Sequence, residues 1–175
     1  MSTFLGLSQN IALLLSLTFI FGLVEPHLER FSLRRRQVVQ GLLFGIFGLT
    51  SMMLPIQVQP GIFFDGRTVI TAVAGIFGGP FTVIVTGVMI AAYRLGLGGA
   101  GATAGIISIT SVVIFSILVW RYFQRRGRQP RYGELLLIGI ILSVMGAFWA
   151  TLLIGVSVLS TTFPITLLIY PIGTL

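Results

Sequence analysis

The chain has no cysteine and no lysine, one histidine, and only four acids in 175 residues, Glu25, Glu29, Asp65 and Glu134. Each shortage excludes something. Without cysteine there is no disulfide framework, thiol nucleophile or thiolate metal site. With one His27 and no cysteine there is no credible transition-metal set, so neither metal nor cofactor is expected. Charged residues are 9% of the chain, against roughly 25% in an ordinary soluble domain, too few to solvate a water-facing globule. What remains is apolar: 55% hydrophobic residues and a mean hydropathy of +1.04. These numbers describe an integral membrane protein.

The net charge of +7 comes from eleven arginines. Nine fall in two short clusters between apolar runs, Arg30, Arg34, Arg35 and Arg36, then Arg121, Arg125, Arg126, Arg128 and Arg131. This is the pattern of cytoplasmic loops rather than of a nucleic-acid-binding face, so no nucleic-acid partner is expected. The apolar runs are read as spans at about 4–24, 38–56, 68–77, 81–93, 106–120, 135–159 and 165–175. The first is long enough, at roughly 20 residues, to cross a bilayer core. It lacks a basic leader and a small-residue cleavage site, so it reads as a span and not as a signal peptide. The last is only eleven residues long. It is read as a truncated span, with a short interfacial helix as the alternative, and an output domain is expected beyond residue 175.

The two arginine clusters also count crossings. Both belong on the inner side, so the N-terminus starts outside and an even number of crossings must separate the second span from the span at 106–120. Gly78-Gly79-Pro80 interrupts the run from Thr68 to Tyr93. Pro80 lacks a donor and glycine permits turn conformations, so the break is a natural reversal. The run is therefore read as a hairpin of two short helices; a single kinked helix is the alternative. The fold class is an all-α polytopic membrane bundle containing a broken, short-helix hairpin.

Subtracting the loop clusters leaves Arg67 and Arg94, both on the outer side at the two ends of that hairpin. Membrane-edge arginines are costly and commonly mark ligand or ion paths. A guanidinium fork binds a carboxylate or phosphate through two parallel hydrogen bonds. The glycines of LGLGGAGATAG, a connector from Leu95 to Gly105, would admit a ligand close to the backbone, with Thr103 and Ser108 supplying hydroxyls and Tyr93 beside Arg94. Asp65 would orient Arg67, or cap a helix beginning at Thr68. The plainer alternative is that both arginines snorkel to outer headgroups or pair structurally with Asp65. The glycine-rich connector is no phosphate loop, since no Gly-Lys-Ser/Thr follows it. No Ser/His/Asp set or carboxylate dyad is present, so the chain is not read as an enzyme.

The stretch from Arg35 to Leu175 resembles the five-transmembrane receptor domain of the LytS/YhcK type, and the residues that carry the likeness are GIFFDGRTVITAVAGIFGGPFTVIVTGVMIAAYRLGLGGAGATAGIISI, Gly61 to Ile109. The likeness rests on a Gly-then-Asp-x-Arg block, a small-residue helix, a Gly-Gly-Pro break, a Tyr-Arg pair and a glycine-rich segment. The resemblance implies a single sensor domain over 1–175 in a bacterial inner membrane, placed before a cytoplasmic histidine kinase or diguanylate cyclase and paired as a homodimer through that output region. It implies a layout similar to the substrate-binding subunits of energy-coupling-factor vitamin transporters, with membrane lipids around it and a small carboxylate-like ligand bound from outside. Carried over by motif, the binding positions are Arg67, Arg94 and Ser108. Where some carboxylate-sensing members carry a cysteine near that hydroxyl, this chain has Gly105, which bears on which ligand is bound. Two rival functions are a small-solute transport subunit and a structural anchor that dimerises an output domain.

Overall fold

A computed structural model describes residues 2–53, 56–59, 62–64, 66–98, 102–154, 167, 170–171 and 173–174. Among these, six helices carry the architecture: α1 (Ser2–Leu28), α2 (Leu33–Met53), α3 (Arg67–Gly78), α4 (Pro80–Leu97), α5 (Ala102–Arg125) and α6 (Tyr132–Ile154). A short antiparallel pair, β1 (Ile56–Gln59) and β2 (Ile62–Phe64), lies between α2 and α3 and pairs Ile56 with Phe64 and Gln57 with Phe63. The sequence reading contains no strands there. The segments Pro80–Leu97, Ala102–Arg125 and Tyr132–Trp149 are long and apolar enough to cross a membrane.

Large apolar side chains face outward as well as inward. Leu15, Phe19, Ile114, Leu118 and Phe148 point outward, while Thr71, Thr82, Thr86, Ser116 and Ser143 are buried. Lipid tails are as apolar as leucine, so hydrophobicity does not drive one helix onto another in a bilayer. Small side chains and interhelical hydrogen bonds do that here. Gly41, Gly45 and Gly48 form a stripe on α2 facing Val85, Met89 and Ile90 of α4. Between those helices the buried Thr82 hydroxyl lies 3.0 Å from the Gln37 carbonyl, and the Thr86 hydroxyl 3.1 Å from that of Gly41. Gly75 of α3 meets Ser116 of α5, and Gly87 of α4 meets Val113 of α5.

Chain direction follows from these contacts. Along the α2–α4 interface both numberings rise together, so the two helices are parallel. Gly66, at the start of α3, donates its N–H to Ser51 Oγ near the end of α2, at 2.7 Å. Gly79, after the end of α3, sits against Gln37 near the start of α2. Thus α3 runs opposite to α2, α4 runs opposite to α3, and the chain reverses at Gly79. There φ is +91°, a left-handed value suited to glycine. Pro80 takes the first helical position of α4, where a missing N–H costs nothing. Helix α5 runs opposite to α4, since Gly87 lies by Val113 and Arg94 by Gly105.

Both arginine-rich loops consequently lie at one end of the bundle. Arg34 sits over the Phe81 ring, 5.7 Å from its centroid, and the Trp120 indole lies beside Gly79. Arg36 pairs with Glu25 at 2.7 Å and joins α1 to α2 at this end. Arg128 clasps Glu134 through two hydrogen bonds of 2.6 and 2.5 Å, joining α5 to α6. Near the C-terminus, Pro171 lies against Gly139 and the Thr174 hydroxyl donates to the Leu135 carbonyl at 2.9 Å. That stretch therefore runs opposite to α6, toward the arginine-rich end.

Two boundaries differ from the sequence reading. The glycine-rich connector is shorter than Leu95–Gly105: α4 continues through Leu97 and α5 begins at Ala102, so Gly105 is a buried helical residue. A backbone at membrane depth must satisfy its own hydrogen bonds, and extending the helices does so. Helix α3 begins at Arg67, not Thr68, with Gly66 at the N-cap position and no side-chain cap bond. Asp65, expected to orient Arg67 or to cap this helix, lies outside the described residues.

Candidate ligand site

The end of the bundle opposite the arginine-rich loops gathers most of the candidate residues. Arg94 occupies the last turn of α4 and is half-buried. A cation there complements the carbonyl end of the helix dipole. Its side chain crosses α5 at Gly105, where an added Cβ would fall 3.0 Å from Arg94 Nε and 3.2 Å from its Cγ. The missing side chain at Gly105 is therefore what lets the arginine lie along α5.

Tyr93 packs against a buried cluster of Met52, Ile90 and Ile109. This cluster ties the ends of α2 and α4 to the start of α5. Met52 is next to Ser51, whose hydroxyl receives the Gly66 N–H, and Gly66 precedes Arg67. The start of α3 is thus bonded to the end of α2 at Ser51, and Tyr93, next to Arg94, packs on the cluster that includes Met52, next to Ser51. Arg67 is itself half-buried at the head of α3, where its carbonyl accepts the Thr71 hydroxyl at 2.7 Å.

On α5, Gly105, Ser108, Ile109 and Val112 are spaced at three and four residues and share a face. Gly105, Ile109 and Val112 are buried on it, and Ser108 is half-buried at its margin. Ser108 therefore lies one turn from the Arg94 crossing. Thr103 does not join them: two residues from Gly105, it is rotated about 200° around the helix and is exposed. Ser51, which fixes the start of α3, was missed in the sequence. Its signal was weak, a small hydroxyl at the end of an apolar run, and only the fold brings it to Gly66.

A model described as the 5TMR of 5TMR-LYT matches residues 12–175, and the chain belongs to this five-transmembrane receptor family. Among curated proteins it is similar to the sensor histidine kinase/phosphatase LytS of Staphylococcus aureus strains Mu50 and N315, 33% identical over 79 residues. That alignment covers 45% of this chain and 14% of the length of LytS. No solved structure matches. The chain is thus a multi-pass membrane domain of a receptor family that serves as a sensing input.

Proposed function

We propose that this domain binds a small carboxylate-bearing metabolite from the outer side of the membrane through Arg67 and Arg94, and relays occupancy to a cytoplasmic output, either a histidine kinase or a diguanylate cyclase. The observation that carries the reading is the placement of the two arginines. They share one end of the bundle, opposite the other nine, at the end of α2. By the positive-inside rule the nine mark the cytoplasmic side, which leaves this pair on the outer side of a bacterial inner membrane with the N-terminus outside. A forked guanidinium lying on a bare backbone presents donors suited to a carboxylate. Ser108, one turn away on α5, supplies a hydroxyl within the same region.

Signalling requires the ligand to bind two arrangements of the domain unequally. The α3–α4 pair links the two ends, because its outer ends carry Arg67 and Arg94 and its reversal at Gly79 sits among Gln37 and Trp120 beside the loops. The test is calorimetric titration of the purified protein with pyruvate and with acetate, wild type against Arg67→Ala and Arg94→Ala. Saturable binding weakened in both variants is expected; equal affinity in all three proteins overturns the assignment.

A further inference from the structure

The arginine-rich end carries a feature that neither topology nor the outer site requires. An open groove of about 410 Å³ is lined by Leu118, Arg121, Tyr122, Arg125 and Arg126. Positions 118, 121, 122 and 125 follow helical spacing along one stripe of α5, on the side away from its buried residues Gly105, Ile109, Val112, Ser116 and Phe123. The stripe continues upward as Ile114, and Ile114, Leu118 and Tyr122 are 54%, 57% and 48% exposed. An apolar, outward-facing track therefore ends in three arginines.

Two of the arginines at this end are already neutralised. Arg128 is committed to Glu134, whose hydrogen bonds hold the guanidinium above its ordinary pKa, and Arg36 is committed to Glu25. Among the described residues no carboxylate pairs with Arg121, Arg125 or Arg126. Arg126 instead stacks over the Tyr122 ring, 4.6 Å from its centroid. That contact positions the guanidinium along the groove and leaves its N–H edge available to an acceptor.

Depth identifies the occupant. Helix α5 has 24 residues, about 36 Å at 1.5 Å per residue, whereas the hydrocarbon core is roughly 30 Å thick. With Ala102 at one face of the core, the core is filled as far as Arg121 at its other face, and the surplus, Tyr122 to Arg125, emerges at the level of lipid phosphates. Trp120 and Tyr122 at this level are typical of that interface. We infer that this groove binds the phosphodiester of an anionic phospholipid: the guanidinium groups of Arg121, Arg125 and Arg126 hold its non-bridging oxygens, and an acyl chain lies along Leu118 and Ile114. The inference stands on the inner end alone and does not depend on the outer ligand. Basic hollows beside membrane helices on the cytoplasmic side hold anionic headgroups by charge.

The test is native mass spectrometry of the detergent-solubilised protein with equimolar phosphatidylglycerol and phosphatidylcholine of the same chains. Retention of the first phosphatidylglycerol about fivefold or more above phosphatidylcholine is expected. R125Q/R126Q is expected to abolish the preference. R30Q/R35Q, which removes the same charge from the other loop at the same end, is expected to keep it. Should the first double variant not fold, the single variants R121Q and R126Q are expected to reduce the preference. Equal retention of both lipids in the wild type overturns the inference, as does a preference that survives loss of the groove arginines. An equal drop in R30Q/R35Q reduces the effect to general surface charge and overturns the site. Displacement of the lipid by equimolar glycerol phosphate shows a soluble phosphoester site and overturns the lipid assignment.

Discussion

Arg94 and Gly105 are coupled by a missing atom: the arginine side chain lies where a Cβ on Gly105 would meet it at 3.0 Å. A Gly105→Ala change must push the Arg94 chain aside by a few tenths of an ångström, yet meets no backbone. The expected outcome is a small stability change, within about 1 kcal/mol, with weakened carboxylate binding. Arg94→Lys retains the charge but loses the planar fork, so it is expected to bind more weakly than wild type while folding normally. Titration calorimetry beside a thermal melt in detergent separates the two effects; equal affinity in Gly105→Ala and wild type would detach this contact from recognition.

The reversal at Gly79 makes a second prediction. With φ +91° and ψ −176°, Gly79 occupies a backbone region essentially reserved for glycine, so an alanine there costs roughly 1–3 kcal/mol, and its methyl group would collide with Gln37 Nε2 and approach Trp120 Nε1 at 3.4 Å. Gly79→Ala is expected to lower the melting temperature clearly. Gly96→Ala is the matched control: it lies inside α4 with nothing within 4 Å of the added carbon. Replacing a helical glycine there is expected to stabilise by up to about 1 kcal/mol. A thermal melt of both variants checks the contrast, and a Gly79→Ala protein as stable as wild type would show that the turn tolerates a side chain.

On the α2–α4 interface, two glycines of similar sequence context should respond differently. A Cβ on Gly41 would lie 2.8 Å from the Thr82 carbonyl oxygen and 2.7 Å from Val85 Cβ, atoms that cannot move without shifting the helix. A Cβ on Gly45 meets the thioether of Met89, a flexible chain that can swing away. Gly41→Ala is therefore expected to destabilise more than Gly45→Ala. Thr86→Val, which removes the buried hydroxyl facing the Gly41 carbonyl, is expected to cost about 0.5–1.5 kcal/mol. Equal melting temperatures for the two alanine variants would refute the distinction between fixed and mobile neighbours.

These contacts also show what the sequence could and could not reveal. The break at Gly78-Gly79-Pro80 was legible because proline and glycine constrain the chain locally, whatever surrounds them. The arginine loops were legible because charge is expelled from hydrocarbon. The α2 stripe of Gly41, Gly45 and Gly48 was not, since hydropathy measures contact with lipid and is silent about which helices touch. Exposed Leu118 and buried Ile109 score alike on such a scale, although one faces outward and the other faces Tyr93. The extension of α4 to Leu97 was hidden by glycines that usually signal a loop. Arg94 and Ser108 could be singled out only as candidates, one residue at a time, and the close approach of Arg94 to Gly105 needed the crossing of α4 and α5. Ser51 needed the return of α3 to the end of α2.

The absence of cysteine makes the direction of every crossing measurable. Single cysteines at Ser32, Thr103 and Gln129, all exposed, report three connections with no background thiol. With α3 and α4 as separate antiparallel passes, Ser32→Cys and Gln129→Cys share one side and Thr103→Cys lies on the other. A single kinked crossing from Arg67 to Leu97 gives a different pattern, with Thr103→Cys beside Ser32→Cys and Gln129→Cys opposite. Labelling with a membrane-impermeant maleimide, against a permeant reagent as the measure of total reactivity, distinguishes the two. The expected result is protection of positions 32 and 129 in intact cells and labelling of position 103. Should position 103 be protected and position 129 labelled, the nine loop arginines would divide between the two sides. Arg67 and Arg94 would then lose the shared outer location on which carboxylate recognition depends.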